Sequence, residues 1–106
     1  MVKVYRGTEI KLNVNITGGG FTSMKDIDFQ LELYVSGGSK VTKNKADCIY
    51  REEDDSYIVT LDTAQLGKVG KLILKCTAYI TDPDFEDKTR TEVSCIDTDV
   101  MILKEL

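Results

Sequence analysis

Two short stretches of the chain concentrate the oxygen ligands that hard cations prefer. Asp82-Pro83-Asp84-Phe85-Glu86-Asp87 puts four carboxylates into one short loop, and Glu52-Glu53-Asp54-Asp55 is an unbroken acidic run. Calcium binds clustered carboxylates of this kind. The EF-hand template fails on the first stretch: its sixth position, which needs glycine for the sharp turn, is Asp87, and its twelfth, which needs a bidentate glutamate, is Val93. The competing reading of both stretches is a solvated turn. Asp82-Pro83 would start one with Phe85 folded back onto the sheet, and the acidic run would form a hairpin tip or an acidic contact patch. No metal and no cofactor is expected at either.

The chain contains no histidine. The usual general base, the usual zinc ligand and any Ser-His-Asp or Cys-His pair are therefore missing together. Two carboxylates facing each other across a cleft could hydrolyse a glycoside, but a domain this small has little room for the cleft. No catalytic residue is assigned and the protein is not expected to be an enzyme. The cysteines, Cys48, Cys76 and Cys95, are odd in number and form no Cys-X-X-Cys, so free thiols in a reducing compartment are expected. A hairpin turning on Phe85-Glu86 would set Ala78 opposite Val93 and Cys76 opposite Cys95. Two thiols would then pack side by side in the core.

The elements that would position these groups are strands. Side chains on a strand alternate between faces, and apolar residues alternate with polar ones at Ile10–Ile16, Ile27–Val35 and Leu72–Ile80. Gly18-Gly19-Gly20 ends the first run and Ser36-Gly37-Gly38-Ser39 turns the chain after the second. Weaker strands are expected at Lys40–Thr42, Ala46–Arg51 and Tyr57–Leu61. Asp62-Thr63-Ala64-Gln65-Leu66-Gly67 reads as one helical turn near residues 63–66, capped by Asp62 or Thr63 and stopped by Gly67. Thr89–Leu103 reads inward at Thr91, Val93 and Cys95, then at Ile96, Thr98, Val100 and Ile102, which implies a bulge or change of sheet near Cys95-Ile96. About seven strands over 106 residues make a single all-β domain spanning residues 1–106, an antiparallel two-sheet sandwich of immunoglobulin-like type, with a small barrel as the alternative.

A net charge of −4 and a pI near 4.8 argue against nucleic acid and anionic membrane as partners. No apolar run approaches a membrane span and no apolar signal segment leads the chain. What remains is protein contact. Tyr34 and Tyr79 fall on the polar face of their strands, where tyrosines serve interfaces or simply lie along the sheet. Lys40, Lys43 and Lys45 could meet an acidic neighbour or keep a sheet edge from pairing. With the loop residues Asp82, Asp84, Phe85 and Asp87, they are the candidate interaction residues.

The segment Asp54-Asp55-Ser56-Tyr57-Ile58-Val59-Thr60-Leu61-Asp62-Thr63-Ala64-Gln65-Leu66-Gly67, continued by Gly70-Lys71-Leu72-Ile73-Leu74-Lys75-Cys76-Thr77-Ala78-Tyr79-Ile80, resembles the small β-sandwich domains of tailed-bacteriophage virion proteins. Asp82-x-Asp84-Phe85-x-Asp87-x-x-Arg90-Thr91-Glu92-Val93 is similar to the same group, and the resemblance covers roughly residues 27 to 102. It implies a capsid decoration or auxiliary protein, or a head- or tail-fibre adaptor, made in the host-cell cytoplasm and docked on other virion proteins, with self-association as a further partner expectation. A carbohydrate- or cell-surface-binding module is the alternative.

Overall fold

A computed structural model describes residues 1–16 and 20–104, so the expected stop at Gly18-Gly19 lies outside the described residues. The strands are β1 (Val2–Tyr5), β2 (Glu9–Val14), β3 (Asp28–Tyr34), β4 (Val41–Asn44), β5 (Ile49–Arg51), β6 (Ser56–Asp62), β7 (Gly70–Thr81) and β8 (Thr89–Leu103). They form a larger sheet in the order β1-β8-β7-β3-β4, which curls into a half-barrel, and a smaller one in the order β2-β6-β5. The all-β expectation holds. Phe29, Leu31 and Leu33 of β3 and Leu72, Leu74, Cys76 and Ala78 of β7 point inward and meet Val14, Tyr57, Val59 and Leu61 from the smaller sheet. Phe29 and Tyr57 touch edge to face at 5.1 Å between centroids, a favourable ring geometry.

The crossover between the sheets forms where the sequence places it. Thr63–Leu66 is a 3-10 turn; the Asp62 carboxylate accepts the Ala64 N–H at 3.0 Å, and Gly67 stops the turn with φ 73°. Thr63 is fully buried because its hydroxyl donates to the Thr8 carbonyl at 2.8 Å and accepts the Gly7 N–H at 2.9 Å, fastening the β1–β2 turn to the crossover.

Four sequence expectations need correction. Eight strands are described, not seven, because Val2–Tyr5 forms a strand of its own. The larger sheet is mixed, since β1 runs parallel to β8, with Val2 beside Val100. β1 hands over to β2 in the opposite sheet, so it arrives beside β8 in the same direction. The β7–β8 hairpin is centred one half-step earlier than Phe85-Glu86, with Thr81 opposite Thr89 and Lys88 in the left-handed region at φ 63°. Ser94 therefore faces Cys76, and Glu92 faces Ala78. Cys95 lies opposite Lys75, on the outer surface, away from the buried Cys76.

The fourth correction concerns β8. Its irregularity lies at Thr98–Val100, where the ladder shifts between Lys71 and Ile73, and not at Cys95-Ile96. The Thr98 hydroxyl donates to the Leu72 carbonyl at 2.7 Å, the Asp99 N–H donates to the Asp97 carboxylate at 2.9 Å, and Asp99 sits at φ 62°. The inward parity does not slip: Glu92, Ser94 and Ile96 lie on the same side as the buried Val100 and Ile102. Thr91, Val93 and Cys95 point outward.

Candidate interaction surface

β8 is paired along one side by β7 throughout, but along the other only by β1, at Val100–Leu103. Among the described residues no strand pairs with that side of Thr89–Asp99. Half of the backbone N–H and C=O groups of a strand point to each neighbour, so roughly 35 Å of edge is left as a template for another strand. Two apolar side chains lie on it, one per face: Val93 is 59% exposed on the outer face and Ile96 is 48% exposed on the inner. The other edges are shorter or blunted. β5 has three residues, and β4 has four and carries the half-buried Lys43 on its core side, opposite Leu31.

Beside this edge the two sheets splay. A groove of about 500 Å³ runs between β2 and β8, with Leu12, Val14, Ile16, Leu74 and Cys76 as its apolar floor and Ser94, Ile96 and Thr98 along one rim. No aromatic ring lines it. The charge at its rim, Asp97, is bound by Lys71 at 2.9 Å. The groove exists because the larger sheet extends past the smaller one. The hairpin carries the molecule to 52 × 30 × 23 Å with a radius of gyration of 14.9 Å, against about 13 Å for a compact chain of this length.

The candidate residues from the sequence are spread over three places. Tyr34 and Tyr79 share the outer face of the larger sheet, as their parity implies, but roughly 20 Å apart along β7. The Tyr34 hydroxyl lies 3.5 Å from the Cys95 sulfur, a contact that raises its pKa, and Lys40 sits 5.3 Å over its ring while reaching Glu32 at 3.7 Å. Tyr79 is exposed. The three lysines do not form one patch. Lys40 belongs to this outer face and Lys43 to the opposite side, while Lys45 is spent internally, donating to the carbonyls of Lys25 at 2.8 Å and Ile27 at 2.7 Å.

Asp82, Asp84, Phe85 and Asp87 form the tip of the β7–β8 hairpin. Asp82 accepts the Asp84 N–H at 3.1 Å and meets Arg90 at 3.3 Å, and Asp87 accepts the Thr89 N–H at 3.0 Å. These carboxylates hold the turn. Among the described residues no three acidic or cysteine side chains are grouped to hold a metal ion. Phe85 is 45% exposed at the tip and does not fold back onto the sheet. Sequence reasoning expected docking through an uncovered edge but did not place that edge on β8 or foresee the groove, although a signal was present. Arg90, Glu92 and Ser94 place polar groups at successive core-side positions, as an uncovered strand would.

The second acidic stretch also turns inward. The Asp55 carboxylate accepts hydrogen bonds from the Tyr50 hydroxyl at 2.7 Å, the Ser23 hydroxyl at 2.8 Å and the Met24 N–H at 3.0 Å. These bonds, Tyr50's first, hold its carboxyl below the usual carboxylate range; the Asp99 N–H and Lys71 do the same for Asp97. A carboxyl whose folded pKa lies below its unfolded value of about 3.9 stabilises the fold above that pH, and the contribution is lost as pH falls through the depressed value. Thermal melts are therefore expected to be flat from pH 7 to about 5 and to fall below about pH 4. Asp55→Asn should start from a lower midpoint and fall less steeply. Parallel acid limbs for the two proteins would remove Asp55 from this account.

In comparisons with known proteins, no protein-family model, no curated protein and no solved structure matches this chain.

Proposed function

We propose that this chain is a non-catalytic docking module, built as an immunoglobulin-like sandwich and serving as a structural component of a tailed-phage virion. The observation that carries the docking part is the unpaired β8 edge at Thr89–Asp99 with the apolar groove beside it. Strand addition to such an edge provides main-chain hydrogen bonds, and the adjoining pocket takes alternate side chains. The immunoglobulin-like reading is supported by strand order. The smaller sheet, β2-β6-β5, corresponds to strands B, E and D, and β8-β7-β3-β4 to G, F, C and the extra strand of variable-type domains. The virion part rests on the resemblance of residues 27 to 102, and repetition in a particle would multiply modest single contacts. The sugar-binding alternative has less support, because the groove offers no ring on which a sugar could stack.

The test is incorporation. Mass spectrometry of purified particles from cells producing the chain should find it, and Val93→Lys, an exposed change on the free edge, should be depleted from them. Presence in the lysate with absence from every particle would remove the virion role. Undiminished incorporation of Val93→Lys would remove the edge.

A further inference from the structure

We propose that the occupant of the β8 edge is a second copy of this chain, joined antiparallel about a two-fold axis at Ser94. The inference rests on the docking reading above and names its partner.

Three observations carry it. The first is fit. The free edge is bounded at one end by β1, which starts beside Val100, and at the other by the hairpin turn, which ends at Lys88. Its midpoint is Ser94, so an antiparallel second copy centred there pairs from Thr91 to Asp97 and stops at the bulge that precedes each β1 contact. An isologous contact of this kind closes on itself. Thr91 then faces Asp97 of the other copy, and Val93 faces Cys95.

The second observation is charge. The hairpin end of the edge carries Asp82, Asp84, Glu86 and Asp87 against Lys88 and Arg90, and is acidic overall. At the other end Asp97 and Asp99 are met by Lys71 at 2.9 Å and the Met1 amine at 3.4 Å, which leaves the exposed Lys3, while Lys104 is offset in the sequence by Glu105. Antiparallel pairing brings the acidic loop of each copy to the end of the other where acids are already paired and Lys3 is exposed. Parallel pairing would stack acidic loop on acidic loop, at a cost. This gives Asp84, Glu86 and Phe85, exposed at the tip, a partner surface around β1.

The third is how lightly the edge is guarded: Glu92, on the core side, is the one charged residue between Thr91 and Ile96. Between Thr91 and Ile96 the edge has no proline, no lysine and no bulge, and it exposes Val93 and Ile96. Those devices are how sheets normally avoid this pairing. Joined edges shield Val93 against the outward Cys95 of the other copy and extend the larger sheet across the mouth of the groove.

Sedimentation of the purified chain over a wide concentration range should show a reversible monomer–dimer equilibrium that weakens as salt is raised. Ser94→Lys, which sets two ammonium groups on the axis, should weaken it by at least about tenfold while leaving the circular dichroism spectrum unchanged. Val93→Cys should give an oxidative cross-link to Cys95 of the other copy, seen as a dimer on non-reducing gels and abolished when Cys95→Ser is added. A native chain that stays monomeric at millimolar concentration overturns the proposal. So does a dimer that ignores Ser94→Lys or yields no cross-link, since another face would then be responsible. A monomeric native chain whose Val93→Lys variant is still lost from particles would sink self-pairing and leave the docking reading standing.

Discussion

Met24→Ala is expected to cost about 2–5 kcal/mol, the range for truncating a fully buried Met, and to lower the melting midpoint by roughly 10–25 °C. Met24 is wholly buried, yet it belongs to a 3-10 turn in the connection between β2 and β3 and not to a strand. Its side chain fills the core at one end, and its sulfur accepts the Ile16 N–H at 3.2 Å, where β2 has just ended. Its own N–H is held by Asp55. Removing the side chain opens a cavity and strips a partner from a backbone donor in one step. Met24→Leu keeps the volume and loses only the weak sulfur acceptor, so it should cost less than about 1.5 kcal/mol. Urea unfolding of the three proteins checks the order. Equal losses for Ala and Leu would mean that the sulfur contact, not the packing, holds this connection.

Met24 also shows where the sequence is silent. Strands β3 and β7 could be read directly, because each has one face on the core and its alternation is undisturbed. The turn at Thr63–Leu66 could be read because cap, turn and glycine stop are all local chemistry. Met24 sits in no periodic pattern, so its burial depends on where the chain happens to cross the end of the sandwich. β8 misled the alternation argument for a physical reason. The rule that apolar residues face inward presumes that the inner face is covered, and along Glu92–Ile96 the smaller sheet does not reach it. Polar Glu92 and Ser94 could therefore occupy core-side positions, and apolar Val93 and Cys95 the outer ones. Centring the hairpin on Phe85-Glu86 set Cys76 opposite Cys95, whereas the half-step difference in register puts them on opposite faces.

The same reasoning applies to the candidate site. Tyr34 and Tyr79 were placed on the outer face correctly, since β3 and β7 alternate cleanly. The lysines were grouped by sequence proximity, but β4 alternates too, and its connection to β5 folds back under Ile27. Neighbours in the chain were thereby sent to different surfaces. An edge is harder still to foresee, because it is defined by which strand fails to arrive beside it. β1 pairs with β8 for only four residues, Val100–Leu103, and leaves the stretch before the bulge at Thr98–Val100 without a second neighbour among the described residues.

Gly38→Ala should destabilise the fold by about 1–3 kcal/mol through overpacking, with about 1 kcal/mol more if the adjoining hydrogen bond breaks. Gly38 lies in the turn that leads from β3 toward β4, and that turn is seated on the exit of the crossover. Its N–H donates to the Val35 carbonyl at 2.7 Å, and the next N–H, of Ser39, donates to the Leu66 carbonyl at 3.0 Å. A Cβ on Gly38 would lie 2.6 Å from the Leu66 oxygen and 3.1 Å from the Val35 oxygen. Both are backbone atoms, so no side chain can swing aside to make room. Leu66 itself is fully buried, which leaves the turn as the part that must lift. Ser36→Ala, exposed in the same turn, should stay within about 0.5 kcal/mol of the native chain. Hydrogen exchange separates a local effect from a global one. The amides of β4 should exchange faster in Gly38→Ala, while those of β7 change only as far as global stability does. Unchanged β4 protection with a native midpoint would mean that the crossover yields to the added methyl.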